Sequence, residues 1–343
     1  MKKHGNTLYI TTQQAYVNRD GENLVISVEH VERLRLPIHT IAGVVSFGNV
    51  MWTPYALGLC GERGVTVSMM SESGRFIARS IGHQTGNVLL RRAQHERTSN
   101  AETVSLAARC FVSGKIANAR TVLQRALRDH PDRADSAPLK QAINRFEVCL
   151  GQLRRPMPVD MVRGMEGDAA RTYFRVFDNL ILSQKDAFFL RERSRRPPMD
   201  RMNALLSFIY TLLAHDLTSA CESVGLDPQM GFLHADRSGR PSLALDLMEE
   251  FRPWLADRLA LSLVNRNQVA ADGFTIRENG SVLMDDTTRR IVLTAWKERK
   301  DDVVIHPFLN DKMPIGLMPL VQAQLLARWL RGDLDAYPPI FWK

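Results

Sequence analysis

The sequence predicts an α+β protein, with a small β-rich N-terminal domain over residues 1–85 and a larger, mostly α-helical C-terminal domain over residues 86–343. Three observations carry that expectation. Up to about residue 85 the apolar residues fall in short runs rich in β-branched and aromatic side chains, parted by polar turns. From Asn87 onward they recur at helical spacing over long stretches. A chain of 343 residues is also too long for one small core, so two domains is the natural division.

In the N-terminal part, Leu8–Ile10, Ala15–Val17, Leu24–Val28 and Ile41–Phe47 read as strands, with Asn18 to Gly21 as one intervening turn. Val31 to Ile38 continues the pattern, and Pro37 marks an edge or a strand end. Pro54 to Cys60 suits a short helix and Val65 to Met69 another strand. Gly58, Gly61 and Gly64 have neither GxGxxG spacing nor a following GK[ST], so they read as a turn rather than a phosphate loop. Ser71 to Thr85 is expected to be a hairpin or linker.

Helices are expected at Val104–Ala126 and, after a broken stretch from His130 to Pro138, at Leu139–Leu153. Pro156 and Pro158 interrupt the pattern before a helix from Val159 or Gly164 to Leu182. Met202–Leu213 is apolar over much of its surface and should be the central helix of this domain. Pro241 and Ser242 are good helix-opening residues, and helical character resumes at Trp254–Leu263. Phe274–Ile276 and Val282–Met284 flank Asn279-Gly280 as a hairpin would. Asp286 or Thr287 could cap a helix to Lys300, and Pro314–Arg331 gives the last one. The tail Tyr337–Trp342 is apolar and non-helical, so it should dock on its own chain or on a partner.

A formal charge of +8 and a pI near 9.5 favour nucleic acid or another polyanion as partner. Cys60, Cys110, Cys149 and Cys221 are scattered without CxxC spacing, as expected of buried thiols in a reducing compartment. No apolar h-region follows Lys2-Lys3, and no run approaches the ~20 apolar residues that span a bilayer. The chain is therefore expected to be soluble and cytoplasmic, with no membrane partner.

The residues suited to chemistry centre on GFLHADRSGRPSLALDLMEEFRP, Gly231 to Pro253. It puts His234 on a loop ahead of a helix whose Asp246 and Glu249, three apart, share a face. Glu250 points ~100° away from Glu249. An imidazole beside carboxylates could hold a divalent cation, and the same acids could simply pair with Arg240 and Arg252 on a solvated surface. Glu166 lies between Gly164 and Gly167 at an expected helix start, where small neighbours let a phosphate approach. The loop Arg191–Arg201 carries five arginines against Glu192 and Asp200. It could track a phosphate backbone or be a solvated interhelical loop. His215-Asp216 lacks the further ligands that an HD-type metal site needs, and GxSxG, HExxH and Walker motifs are absent.

Three signatures together resemble the CRISPR-associated adaptation endonuclease or integrase family ("Cas one") across almost the whole chain. They are GMEGDAARTYF (Gly164 to Phe174), RRPPMDRMNALLSFIYTLL (Arg195 to Leu213) and the Gly231 to Pro253 stretch. The resemblance implies catalytic, metal-holding roles for Glu166, His234 and Glu249, with Asp246 a further acidic position reaching the metal directly or through water. Many members have Asp where this chain has Glu249. Two carboxylates and one imidazole suit Mn²⁺ or Mg²⁺. The implied reaction joins 3′-hydroxyl ends of short foreign DNA fragments (spacers) to a CRISPR repeat array, or cuts DNA when water attacks. Implied partners are double-stranded DNA, a second copy of the chain joined through the β-rich domain, and a small ferredoxin-like protein ("Cas two"). Arg171, Arg193, Arg195 and Arg196 are the expected DNA contacts. The competing reading is a non-catalytic basic DNA-binding scaffold.

Overall fold

In a computed structural model the chain divides into two units, Met1–Thr85 and Gly86–Lys343. The residues described are 6–72, 76–82, 88–130 and 136–342. The N-terminal start, the end of the expected linker and most of the break before residue 136 lie outside them.

The first unit contains β1 (Asn6–Ile10), β2 (Ala15–Asp20), β3 (Asn23–Val28), β4 (Val31–Pro37), β5 (Ile41–Phe47), β6 (Val50–Trp52), α1 (Pro54–Glu62), β7 (Thr66–Met70) and β8 (Phe76–Ser80). Two four-stranded sheets result, ordered β1-β5-β7-β8 and β4-β3-β2-β6. In the first, β1, β5 and β7 are parallel and β8 returns antiparallel to β7. Parallel strands need crossover connections, and α1 lies on the one from β5 to β7. Thr53 caps α1 by accepting the Ala56 N–H at 3.2 Å, and Pro54 presets its first turn. Ile10, Val17, Leu24, Ile26, Val44, Leu59 and Val67 close into one core. Edge strand β4 is mostly exposed and carries Glu32, Arg33 and Arg35, charges that discourage pairing with another sheet.

The second unit contains α2 (Val88–Thr98), α3 (Ala101–Asp129), α4 (Ser136–Leu153), α5 (Val159–Phe177), α6 (Arg201–Val224), α7 (Ser242–Phe251), α8 (Arg258–Asn265), α9 (Asp286–Asp301) and α10 (Met318–Arg331). Two small hairpins, β9–β10 (Phe274–Ile276, Val282–Met284) and β11–β12 (Val303–Ile305, Lys312–Pro314), complete it. The observed class is the α+β arrangement the sequence predicts. Helix α6 buries Leu205, Leu206, Ile209, Leu212 and Leu213 and stops at Gly225, whose φ of 90° favours glycine. By length and composition α6 could cross a membrane, but 67% of its apolar window is buried in its own unit. Equally central is α3, which packs on α4, α5 and α7 and is capped by Asn100. At Gly114 on α3 an added Cβ would lie 3.0 Å from Glu250 Cβ and 3.1 Å from Pro339 Cβ. Glycine there lets α3, α7 and the C-terminal tail meet.

Local expectations fail where a distant group outcompetes the nearest one. Helix α5 ends at Phe177, not Leu182, because the chain tightens into a 3₁₀ turn at Asp178–Leu180. Ser242 does not cap α7; its hydroxyl donates to the Ala235 carbonyl, and the Pro228 carbonyl accepts from the Leu243 N–H at 2.9 Å. Helix α9 is capped by Asp285, which accepts the Thr288 N–H at 2.7 Å.

Candidate active site

Four elements of the helical unit deliver the candidate side chains. Glu166 projects from α5 seven residues after its start at Val159, so it lies mid-helix and not at the N-terminus expected from the sequence. His234 stands on the loop between α6 and α7, and Glu249 lies on the last turn of α7. Lys115 comes from the middle of α3.

Asp246 organises the histidine loop. Its Oδ2 accepts the N–H groups of Phe232 and Leu233 at 2.6 and 2.9 Å, and its Oδ1 accepts the His234 N–H at 2.9 Å. Oδ1 also lies 2.6 Å from His234 Nδ1. A carboxylate collecting amide hydrogens acts as acceptor, so Nδ1 carries the proton and the Nε2 lone pair faces away from Asp246. Gly231 makes this wrapping feasible, since a Cβ there would come within 2.7 Å of Ser242 Cβ and 2.9 Å of Asp246 Oδ2. Arg163 on α5 ties down the other side of the loop by donating to the Leu233 carbonyl at 2.6 Å. The direct ligand role considered for Asp246 does not fit: the residue is fully buried and both its oxygens are spent on the loop. It positions His234.

Glu249 is almost fully buried among cations. Lys115 Nζ lies 2.6 Å from its Oε2, Arg252 Nη1 3.2 Å from its Oε1, and His234 Nε2 3.9 Å from the same oxygen. Burial pushes its carboxyl up, but Arg252, Lys115 and His234 outweigh burial and hold it well below the usual range. Lys115 also pairs with Glu166 Oε1, so the two carboxylates meet on one ammonium. Despite the short contact, Glu249 Oε2 has no aligned hydrogen-bond donor among the described residues. A poorly directed point charge suits an ion better than a hydrogen-bonded partner. Immediately after Glu249 and Glu250 the helix widens into a π-helical segment, Arg252–Asp257, which buries Asp257 against the Tyr210 hydroxyl at 2.6 Å.

The donor set fits a divalent cation. Two carboxylates and an imidazole with its lone pair free surround a position already held by positive charge, and a carboxylate orients the imidazole from behind. Two donors about 2.2 Å from one ion stand roughly 3–4 Å apart, which matches His234 Nε2 and Glu249 Oε1. Among the described residues no three His, Cys, Asp or Glu side chains already converge at ligand distance, because Lys115 stands between the acids.

Glu250 faces the other way and is no rival for the ion. It accepts from the Tyr337 hydroxyl, from Ile340 N–H at 2.6 Å and from Gln322 at 3.1 Å, all on the opposite side of α7. The apolar tail therefore docks on its own domain. Trp342 stacks on Trp254 and lies under the guanidinium groups of Arg125 and Arg258, 3.9 and 4.5 Å from its ring centre. Burial, only partly offset by those hydrogen bonds, lifts the Glu250 carboxyl from 4.5 to about 7. A raised folded value means that its stabilising contribution is complete below pH 4.5 and is lost as pH rises through about 7. Glu250→Gln is expected to match the wild type near pH 5 and to exceed it by roughly 2–3 kcal/mol at pH 8. Urea unfolding at both pH values checks this; a parallel offset at the two would contradict it.

The arginines separate. Arg193 is half-buried and turned inward: it donates to Asn203 Oδ1 and to the Ser194 carbonyl, both at 2.6 Å, and covers the Tyr210 ring. That corrects its expected role as a DNA contact; it fastens the loop to α6. Arg171, Arg195 and Arg196 are exposed. Arg195 lines a small cavity together with Lys115, Tyr173, Tyr210 and Arg252, beside the acidic cluster. Arg193→Ala is expected to cost about 2–3 kcal/mol of stability. Neutralising Arg195 and Arg196 together should leave stability unchanged and reduce the salt slope of DNA binding by up to ~2. The pairing of Glu249 with Arg252, three residues on, is one the sequence offered and the structure shows, whereas Lys115 and Arg163 were not foreseen from the sequence.

A family model described as CRISPR associated protein Cas1 matches residues 8–298. A CRISPR-associated endonuclease Cas1 from Chlorobaculum tepidum is 50% identical over the full length of both chains. Among solved structures, a Cas1 protein from Thermotoga maritima superposes with a TM-score of 0.81 at 22% identity, covering 95% of this chain and 97% of that one. A casposase bound to integration product superposes with a TM-score of 0.84 at 21% identity, covering 98% and 94%.

Proposed function

Since the chain belongs to the Cas1 family of CRISPR-associated proteins, we propose that it is a divalent-metal-dependent DNA endonuclease and integrase of CRISPR adaptation. It joins the 3′-hydroxyl ends of short DNA fragments to a CRISPR repeat by phosphodiester transesterification. One observation carries this reading above the others. A buried carboxylate, Asp246, orients His234 towards Glu249 while Glu166 and Glu249 converge on a single cation position.

Glu166, Glu249 and His234 Nε2 would hold Mn²⁺ or Mg²⁺. When bound, the ion supplies Lewis acidity at a phosphodiester and lowers the pKa of an attacking water or 3′-hydroxyl. The protein's own groups do the rest. Asp246 fixes the imidazole tautomer and ring direction. Arg163 keeps the histidine loop seated on α5. Arg252 prevents Glu249 from turning away and balances its buried charge. Arg195, exposed beside the cluster, attracts the DNA backbone together with the exposed Arg196 and, on α5, Arg171. The substrate partners are duplex DNA fragments and the repeat, in the cytoplasm. The working assembly is a homodimer built on the β-rich unit, joined by the small ferredoxin-like protein.

The direct test is half-site integration with a labelled 3′-hydroxyl donor and a repeat duplex, with and without Mn²⁺ and the partner. Labelled strand transfer that needs Mn²⁺ and disappears with chelator is the expected result. Salt-sensitive DNA binding with no metal-dependent turnover would instead identify a scaffold.

A further inference from the structure

Resting on that reading of the acidic cluster, we propose that Lys115 is a built-in surrogate for the metal. It neutralises the ligands before the ion arrives and has to be displaced for the ion to bind.

The argument starts from charge. Glu166, Asp246 and Glu249 bring three carboxylates into a region where Glu249 and Asp246 are almost completely buried. Buried like charges repel strongly unless paired. Arg252 answers part of that charge from one side of Glu249. Lys115 answers the rest, and among the described residues it alone pairs with both Glu166 and Glu249. Without it, the metal-free cluster would carry two acids with nothing between them, and repulsion would push Glu166 towards solvent. The ammonium therefore keeps the ligands assembled.

The same contact makes it a competitor. An ammonium 2.6 Å from a carboxylate oxygen and paired with a second carboxylate occupies the place where those oxygens would meet an ion. Its hold is that of a compact point charge with rotatable donors, which a carboxylate exchanges readily for another cation. A divalent ion brings twice the charge and accepts lone pairs from three ligands, so exchange is favourable. The lysine can swing towards Asp257, whose side chain lines the same small cavity. Four flexible methylenes allow that swing, whereas a shorter or stiffer cation would stay.

Calorimetric Mn²⁺ titration of the wild type, Lys115→Met, Lys115→Arg and His234→Ala, with melting curves in chelator, tests this without any DNA. Lys115→Met is expected to bind Mn²⁺ at least ~10-fold more tightly, and to melt several degrees lower than wild type when metal-free. Lys115→Arg keeps the charge with a broader two-pronged grip, so it should melt like the wild type and bind Mn²⁺ more weakly. Equal or weaker Mn²⁺ binding by Lys115→Met overturns the proposal. Should that variant not fold, Lys115→Arg affinity equal to that of the wild type overturns it instead. Mn²⁺ binding that persists in His234→Ala, or is missing in all four proteins, removes the metal-site reading itself and this inference with it.

Discussion

Glu249→Gln is expected to reduce Mn²⁺-supported strand transfer by at least ~10³-fold while leaving duplex DNA affinity within about twofold. The loss follows from where the side chain stands. Glu249 is the deeper of the two carboxylate ligands and the one that Lys115, Arg252 and His234 all approach. The amide keeps the shape but removes the charge and offers one acceptor instead of two, so the ion would lose its strongest anchor. DNA affinity should survive, because the exposed Arg171, Arg195 and Arg196 lie outside the buried cluster. Glu249→Asp should retain measurable activity, since it keeps the charge and only shortens the reach. Single-turnover transfer at saturating DNA separates the two variants. Equal activity in Glu249→Gln and the wild type would remove Glu249 from the site.

Asp246→Asn is expected to do comparable damage by another route. Asp246 accepts three backbone N–H groups in addition to the bond with His234 Nδ1. An asparagine has a single oxygen acceptor and turns its NH₂ towards at least one N–H. At zero exposure no water can compensate. The histidine loop should loosen, Mn²⁺ affinity should fall by ~10- to 100-fold, and stability should drop by about 3–5 kcal/mol. The signature of positioning, as opposed to ligation, is recovery: raising Mn²⁺ should restore much of the activity of Asp246→Asn below its melting temperature. The same titration should do far less for His234→Ala. A variant that binds Mn²⁺ normally would show that the loop holds its shape without Asp246.

The sequence made the fold class legible because its two halves differ in period, short β-branched runs giving way to helical spacing. Glu166, His234 and Glu249 were legible only through the signatures that flank them. Spacing could show that Asp246 and Glu249 share a helix face. It could not show that Asp246 is consumed by the amides of Phe232, Leu233 and His234, since that depends on how the loop folds back over α7. Nothing in the sequence tied Lys115 to the acids: it lies mid-helix in a mostly apolar stretch between Gly114 and Ile116, 51 positions from Glu166 and 134 from Glu249. The arginine loop misled in the opposite direction. Counting charge gives no direction, and Arg193 turns inward to Asn203 and Ser207 while Arg195 and Arg196 stay outside. For the tail, composition called for burial somewhere, and the seat proved to be Glu250, Asn118 and Trp254 of the same unit.

The central claim is that Glu166, His234 and Glu249 grip one ion, and anomalous diffraction from Mn²⁺-soaked crystals locates that ion without reference to turnover. The account predicts a single strong peak about 2.2 Å from both carboxylates and from His234 Nε2, with the Lys115 ammonium moved off Glu249. Peaks only at surface acids, with Lys115 still bridging Glu166 and Glu249 at saturating Mn²⁺, would contradict it.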